Sequence, residues 1–141
     1  METIVTIAIL AIALTLLISV LSGFRSAGYL IDSDTHIINM LRDARARTLS
    51  SKGDTQYGVH FEAGRAVLFV GNTYHAAAGT NEIYSLPAGV SISTITLGGG
   101  SDVVFARLSG MPSASGTITI QLKQDPAQTK TVTILATGGI N

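Results

Sequence analysis

The sequence has no cysteine and only three prolines, and charged residues make up just 13% of its 141 positions. Without cysteine there are no disulfides, no thiolate metal sites and no cysteine nucleophile, so stability must come from packing and hydrogen-bonded ladders. The lack says little about compartment, because many exported proteins share it. Formal charge is zero and the pI is near 6.8, which removes any overall attraction for nucleic acid or an anionic membrane surface. Charge is scarcest at the start: between Met1 and Arg25 the single ionisable side chain is Glu2.

That region carries a long apolar run instead. Thr3 to Leu21 is 19 residues, and with Ser22 to Phe24 the uncharged stretch reaches 22. At about 1.5 Å per residue this is roughly 30 Å of helix, enough to cross a bilayer core, so residues 1–24 are expected to reside in a membrane. A cleaved secretory peptide has a shorter apolar region, a basic start and a small-x-small site; this run flows into more helix. From Ser26 to Ser51 there is no proline, and Leu30, Ile37, Leu41, Ala44 and Thr48 are spaced seven, four, three and four apart. One stripe therefore continues in register. The other faces carry Asp32, Asp34, Arg42, Asp43, Arg45 and Arg47, so residues 25–54 read as an amphipathic half, outside lipid and packed on one side. The run from Ser51 to Asp54 places a glycine stop after a lysine. If unbroken, the helix is about 50 residues long, with Gly23 and Gly28 its weak points.

After Asp54 the texture changes to short runs of glycine, threonine, serine and valine. Strands are expected at Gln56 to Glu62, Arg65 to Val70, Glu82 to Leu86, Val90 to Leu97, Asp102 to Arg107, Gly116 to Lys123 and Lys130 to Ala136. The alternation is clearest in GTITIQL, where Ile118, Ile120 and Leu122 share a face, and TVTIL repeats it. Glu62 to Arg65 reads as a tight hairpin, Pro87-Ala-Gly as a turn and Gln124-Asp-Pro-Ala as a loop. The expected class is α+β: a long N-terminal helix over 1–54, then a small antiparallel β domain over 55–141.

Chemistry is sparse. Asp32, Asp34 and His36 lie within five residues, but two ligands one helical turn apart rarely hold a metal, and an Asp32–His36 contact on an exposed face explains them. His60 and His75 show no acidic or nucleophilic neighbour at useful spacing and receive no role. Gly98-Gly-Gly-Ser-Asp is expected to be a flexible hairpin connection, since strands flank it where a phosphate cradle needs a helix N-terminus. Arg42, Arg45, Arg47 and Lys52 form the densest positive patch, interrupted by Asp43 and Asp54 and without aromatics, which suits a solvated helix end better than a DNA site. No enzyme, cofactor or metal site is expected.

A long helix, apolar and then amphipathic, joined to a small β domain, resembles the type IV pilin and pseudopilin family. In that family a basic leader is clipped before an aromatic residue, and a glutamate follows in a run such as F-T-L-x-E; Met1-Glu2-Thr3-Ile4-Val5 resembles the part around the glutamate. The GspH/FimT-like branch is the most similar, through Leu41, Ala44 and Arg45 near the helix end, QYGVHF, VVFARLSGMPSASGTITIQL and TVTILATGGIN. The family's common helix proline is missing, with Ser19 about where it falls, so local melting on assembly would use Ser22 and Gly23.

The resemblance implies a structural subunit that polymerises through its helix, with Glu2, Thr3, Ile4, Val5 and Ile7 at the assembly surface. It also implies processing with N-terminal methylation by a prepilin peptidase, an assembly platform, and other pilins and copies of the chain as partners. Location follows: single-pass in the cytoplasmic membrane before assembly, and at the cell surface in a filament afterwards. The arginines after the apolar run would by themselves keep the β domain in the cytoplasm; the leader implied by the resemblance reverses that. For Glu2, a dipole-complementing position in the first helical turn is one reading. The resemblance adds another, a buried carboxylate neutralised by the terminal amine of the adjacent subunit and acting as a register pin. The alternatives are a minor pseudopilin of a type II secretion or DNA-uptake machine, a membrane-anchored DNA-binding module, and an anchored β domain that never polymerises. Nucleic acid is not the expected partner.

Overall fold

The computed structural model describes residues 2–50, 52–98 and 100–141, with side chains except at 17–24 and Lys52. One helix, α1 (Glu2–Leu49), precedes seven strands: β1 (Tyr57–Glu62), β2 (Arg65–Val70), β3 (Glu82–Ser85), β4 (Val90–Leu97), β5 (Asp102–Val104), β6 (Gly116–Leu122) and β7 (Thr129–Ile134). The chain is thus α+β with antiparallel pairing throughout.

The stripe on α1 is buried as its spacing requires: Leu30, Ile37, Leu41, Ala44 and Thr48 all lie in the core. Ser33 joins them because its Oγ donates to the Tyr29 carbonyl at 2.8 Å, which satisfies the hydroxyl inside its own helix. The helix ends at Leu49, and Gly53, at φ +68, carries the left-handed turn that follows.

The expected antiparallel β domain is built of two sheets. The first has the order β3-β2-β1-β5 and the second β4-β6-β7, and α1 packs against both. Their inner faces and the helix share one core containing Val59, Phe61, Phe105, Ile118, Ile120 and Val132. The glycine run at 98–102 is therefore no hairpin: it carries the chain from β4 in one sheet to β5 in the other, and Gly99 lies outside the described residues. The 62–65 hairpin is as expected, with Glu62 paired to Arg65 across the turn. β5 stops three residues short of its expected end. Leu108 adopts φ +71, and Ala106 N donates to Met111 O and Gly110 N to Ala106 O, both at 2.8 Å. The chain doubles back there instead of extending.

Two further features bear on the surface. The β4–β6 register shifts between Ile92 and Thr94, leaving Ser93 outside the regular pairing. The last residues fold back along β7, where Thr133 N donates to Asn141 O at 2.8 Å and Asn141 N to Thr133 O at 3.1 Å.

Among the described residues no helix is long and apolar enough to cross a membrane. The apolar stretch described with side chains, Thr3–Leu16, has 14 residues, about 21 Å of helix against a core of roughly 30 Å. The span expected over 1–24 extends into 17–24, whose side chains lie outside the description, as do those of the flexibility candidates Ser22 and Gly23.

Candidate assembly surface

Glu2 stands in the first turn of α1, exposed, followed by the expected assembly residues Thr3, Ile4, Val5 and Ile7. Every residue from Glu2 to Leu16 is exposed. Ile4 is 70% exposed and Ile7 67%, and Ile9, Leu10, Ile12, Leu14 and Leu16 are uncovered too. These positions run all round the helix, because steps of one, two and three residues at about 100° each leave no side free. The β domain does not reach them; its core begins at Leu30.

The polar groups within this segment are quieted locally. Thr6 Oγ1 donates to Thr3 O at 2.9 Å and Thr15 Oγ1 to Ile12 O at 2.7 Å, so both hydroxyls bond inside the helix. Those two hydroxyls enter an apolar environment at little polar cost. Glu2 differs, because a carboxylate in the first turn gains only the modest attraction of the helix N-terminus.

The second half of α1 is anchored on one flank by charge. Arg47 is within 2.6 Å of Asp43 and binds both carboxylate oxygens of Glu82 at the start of β3. The hydrogen bond to Glu82, then that to Asp43, pushes its pKa up from an already high value. Nearby, His36 stacks on Tyr84 of β3 with ring centroids 4.5 Å apart, which replaces the expected Asp32–His36 contact. The positive patch read from sequence is therefore split. Arg47 belongs to this flank, whereas Arg42 and Arg45 point to backbone carbonyls of Ile140 and Gly110.

His60 has partners that the sequence reading missed. Asp102 lies directly opposite it in β5 and meets its Nδ1. Glu62 approaches Nε2 at 3.4 Å, and Tyr74 stacks on the ring at 3.9 Å. Asp102 is 42 residues away in the chain, so only the β1–β5 pairing makes it a neighbour. The signal that could have found it was the alternation placing His60 and Asp102 each on the outer face of its strand. His60 is thereby a clamp between sheet and the β2–β3 loop. His75 takes part through its backbone, its carbonyl accepting from Asn81 Nδ2 at 2.8 Å.

A cleft of about 520 Å³ lies beside β5 and is lined in part by Asp102, Val104, Met111, Pro112 and Ser113. The Ser113 hydroxyl there accepts from Val104 N at 3.0 Å. Among the described residues no group of three His, Asp or Glu side chains is arranged to hold a metal ion. No family model, curated protein or solved structure matches this chain.

Proposed function

We propose that this chain is a pilin-like structural subunit that polymerises through its N-terminal helix into a type IV pilus or related filament, waiting in the cytoplasmic membrane beforehand. The observation that carries the reading is the bare helix: eight large apolar side chains between Ile4 and Leu16 stand uncovered, while among the described residues the core shared with the β domain begins at Leu30 of α1. Burying eight such side chains is worth on the order of 10 kcal/mol. An exposed apolar rod of this size needs a cover. Lipid supplies it before assembly and helices of neighbouring copies supply it afterwards. In that packed state Glu2 must meet a positive group or lose several kcal/mol, so it selects correctly aligned neighbours more than it adds net stability.

Prepilin peptidase and the assembly platform are the partners this reading requires, with catalysis left to them. The test is electron microscopy of sheared surface appendages from cells producing the chain and its Glu2→Ala variant, with mass spectrometry of the N-terminus. Filaments containing the chain, with the variant still membrane-inserted but poorly incorporated, are the expected result. Normal filaments from Glu2→Ala defeat the pin, and a chain never found in any filament defeats the whole reading. The share of filament mass that the chain supplies separates a principal subunit from a minor one.

A further inference from the structure

The arginines of the folded part fall into two sets. Arg47, Arg65 and Arg107 each pair with a carboxylate, on Asp43 and Glu82, on Glu62 and on Asp54 respectively. Arg42 and Arg45 have no carboxylate partner among the described residues. Arg42 Nη2 donates to Ile140 O and Arg45 Nε to Gly110 O, both at 3.1 Å. A planar guanidinium carries five N–H donors, so one tether fixes each fork and leaves most donors unused.

The two forks line a groove of about 310 Å³ with Ala46, Leu49, Gly138 and Gly139. Its wall requires glycine at 138. That residue sits at φ +85, and a Cβ there would meet Gly110 O at 2.5 Å and Arg45 Nε at 2.9 Å. Two loops thus close around the Arg45 fork and present it, with Leu49 supplying apolar surface at the rim.

The complementary chemistry lies on the same helix. Tyr29 is 50% exposed and Asp32, one turn later, is exposed too; neither side chain has a partner among the described residues. Asp32 and Arg42 are ten residues apart, which is about 15 Å along the axis and roughly a quarter turn around it. With Leu30, Ile37, Leu41 and Ala44 facing the core, these two lie on opposite sides of the outward face. A carboxylate beside an aromatic ring is what two free guanidinium forks bind, by paired hydrogen bonds and by stacking.

We infer that the Arg42–Arg45 groove receives the Tyr29–Asp32 flank of a neighbouring copy, whose helix runs parallel and is offset by about 15–20 Å. This rests on the filament reading, which supplies parallel neighbours. A second copy suits the groove better than a polyanion because unpaired Asp32 and Asp34 on the same helix repel one. Each exposed pair is held only weakly, because solvent and salt screen it. Its larger effect is selection, since an in-register neighbour presents on that face only Asp43, which Arg47 already holds.

Because the chain has no cysteine, the contact can be trapped cleanly. The full-length double variant Asp32→Cys/Arg42→Cys, treated in intact filaments with a short bis-maleimide, is expected to give a ladder of multimers absent from untreated samples. Arg42→Glu/Arg45→Glu should lower filament yield about tenfold or more, with recovery when Asp32→Arg is added. Asp32 and Arg42 are exposed, so the trapping variant leaves the core intact even if the Arg45 change disturbs the loops. Filaments of normal yield from Arg42→Glu/Arg45→Glu, or abundant trapping-variant filaments that give no ladder, overturn the inference and leave the filament reading standing. Wild-type cells without filaments overturn that reading first. Duplex DNA binding at physiological salt that Arg42→Glu/Arg45→Glu removes, without a ladder in the trapping variant, reassigns the groove to phosphates.

Discussion

Thr48 joins the helix to the first strand through one hydroxyl, which accepts from the Tyr57 amide at 3.0 Å and donates to the Ala44 carbonyl at 2.8 Å. The group is fully buried, so water cannot replace either bond. It fixes where β1 starts relative to the last turn of α1, and hence how the β domain hangs on the rod.

Thr48→Val keeps the shape and removes both bonds, leaving the Tyr57 N–H buried beside a methyl group. The expected cost is about 1–3 kcal/mol, seen as a lower unfolding temperature by circular dichroism of the full chain in detergent. Thr48→Ser should recover much of the loss. A valine variant as stable as wild type, with unchanged hydrogen exchange at the Tyr57 amide, would show that the bond is dispensable.

Gly116 opens β6 where β4 passes closest, and a Cβ there would come within 1.8 Å of Thr96 O. Backbone cannot yield cheaply inside a ladder, so Gly116→Ala should lose about 3 kcal/mol or more. Gly64→Ala is the control, with nothing within 4 Å of its added methyl, and should be close to neutral. Comparing the two by chemical denaturation checks the claim; equal stabilities would contradict it.

The β1–β2 hairpin should carry a modest acid sensitivity. Neither Ala63 nor Gly64 adopts a positive φ, and the turn is clamped by Arg65, which donates Nε to Glu62 Oε2 at 2.9 Å and Nη2 to Glu62 Oε1 at 2.8 Å. Those bonds hold the Glu62 carboxyl below its usual 4.5. A depressed folded-state pKa stabilises above the unfolded value, and that contribution fades as pH falls through the folded one. Both partners are near the surface, so salt should weaken the effect. Thermal unfolding of wild type and Glu62→Gln should therefore differ at pH 7 and converge toward pH 3; a gap that widens in acid points to another group.

What the sequence made legible was local. Leu30, Ile37, Leu41, Ala44 and Thr48 announce their face because helix neighbours are three or four residues apart, and Ile118, Ile120 and Leu122 do the same at a period of two. The split into two sheets was not legible, since one alternating strand looks the same whichever sheet accepts it. The glycines at 98–100 mark a connection between strands but not its destination. His60 went unread for the same reason, its partner Asp102 being brought to it by pairing alone. The division of the arginines was hidden too, because Arg42, Arg45 and Arg47 are close in sequence and differ in which loop each meets.

The shift at Ser93 has a consequence for molecules kept close together. A straight outer strand invites another chain to continue its sheet, and crowding makes that misassembly faster. With β4 offset between Ile92 and Thr94, its rim offers no uninterrupted row of donors and acceptors to copy. Copies gathered at high density are thereby steered away from zippering strand to strand, which lowers the tendency to aggregate.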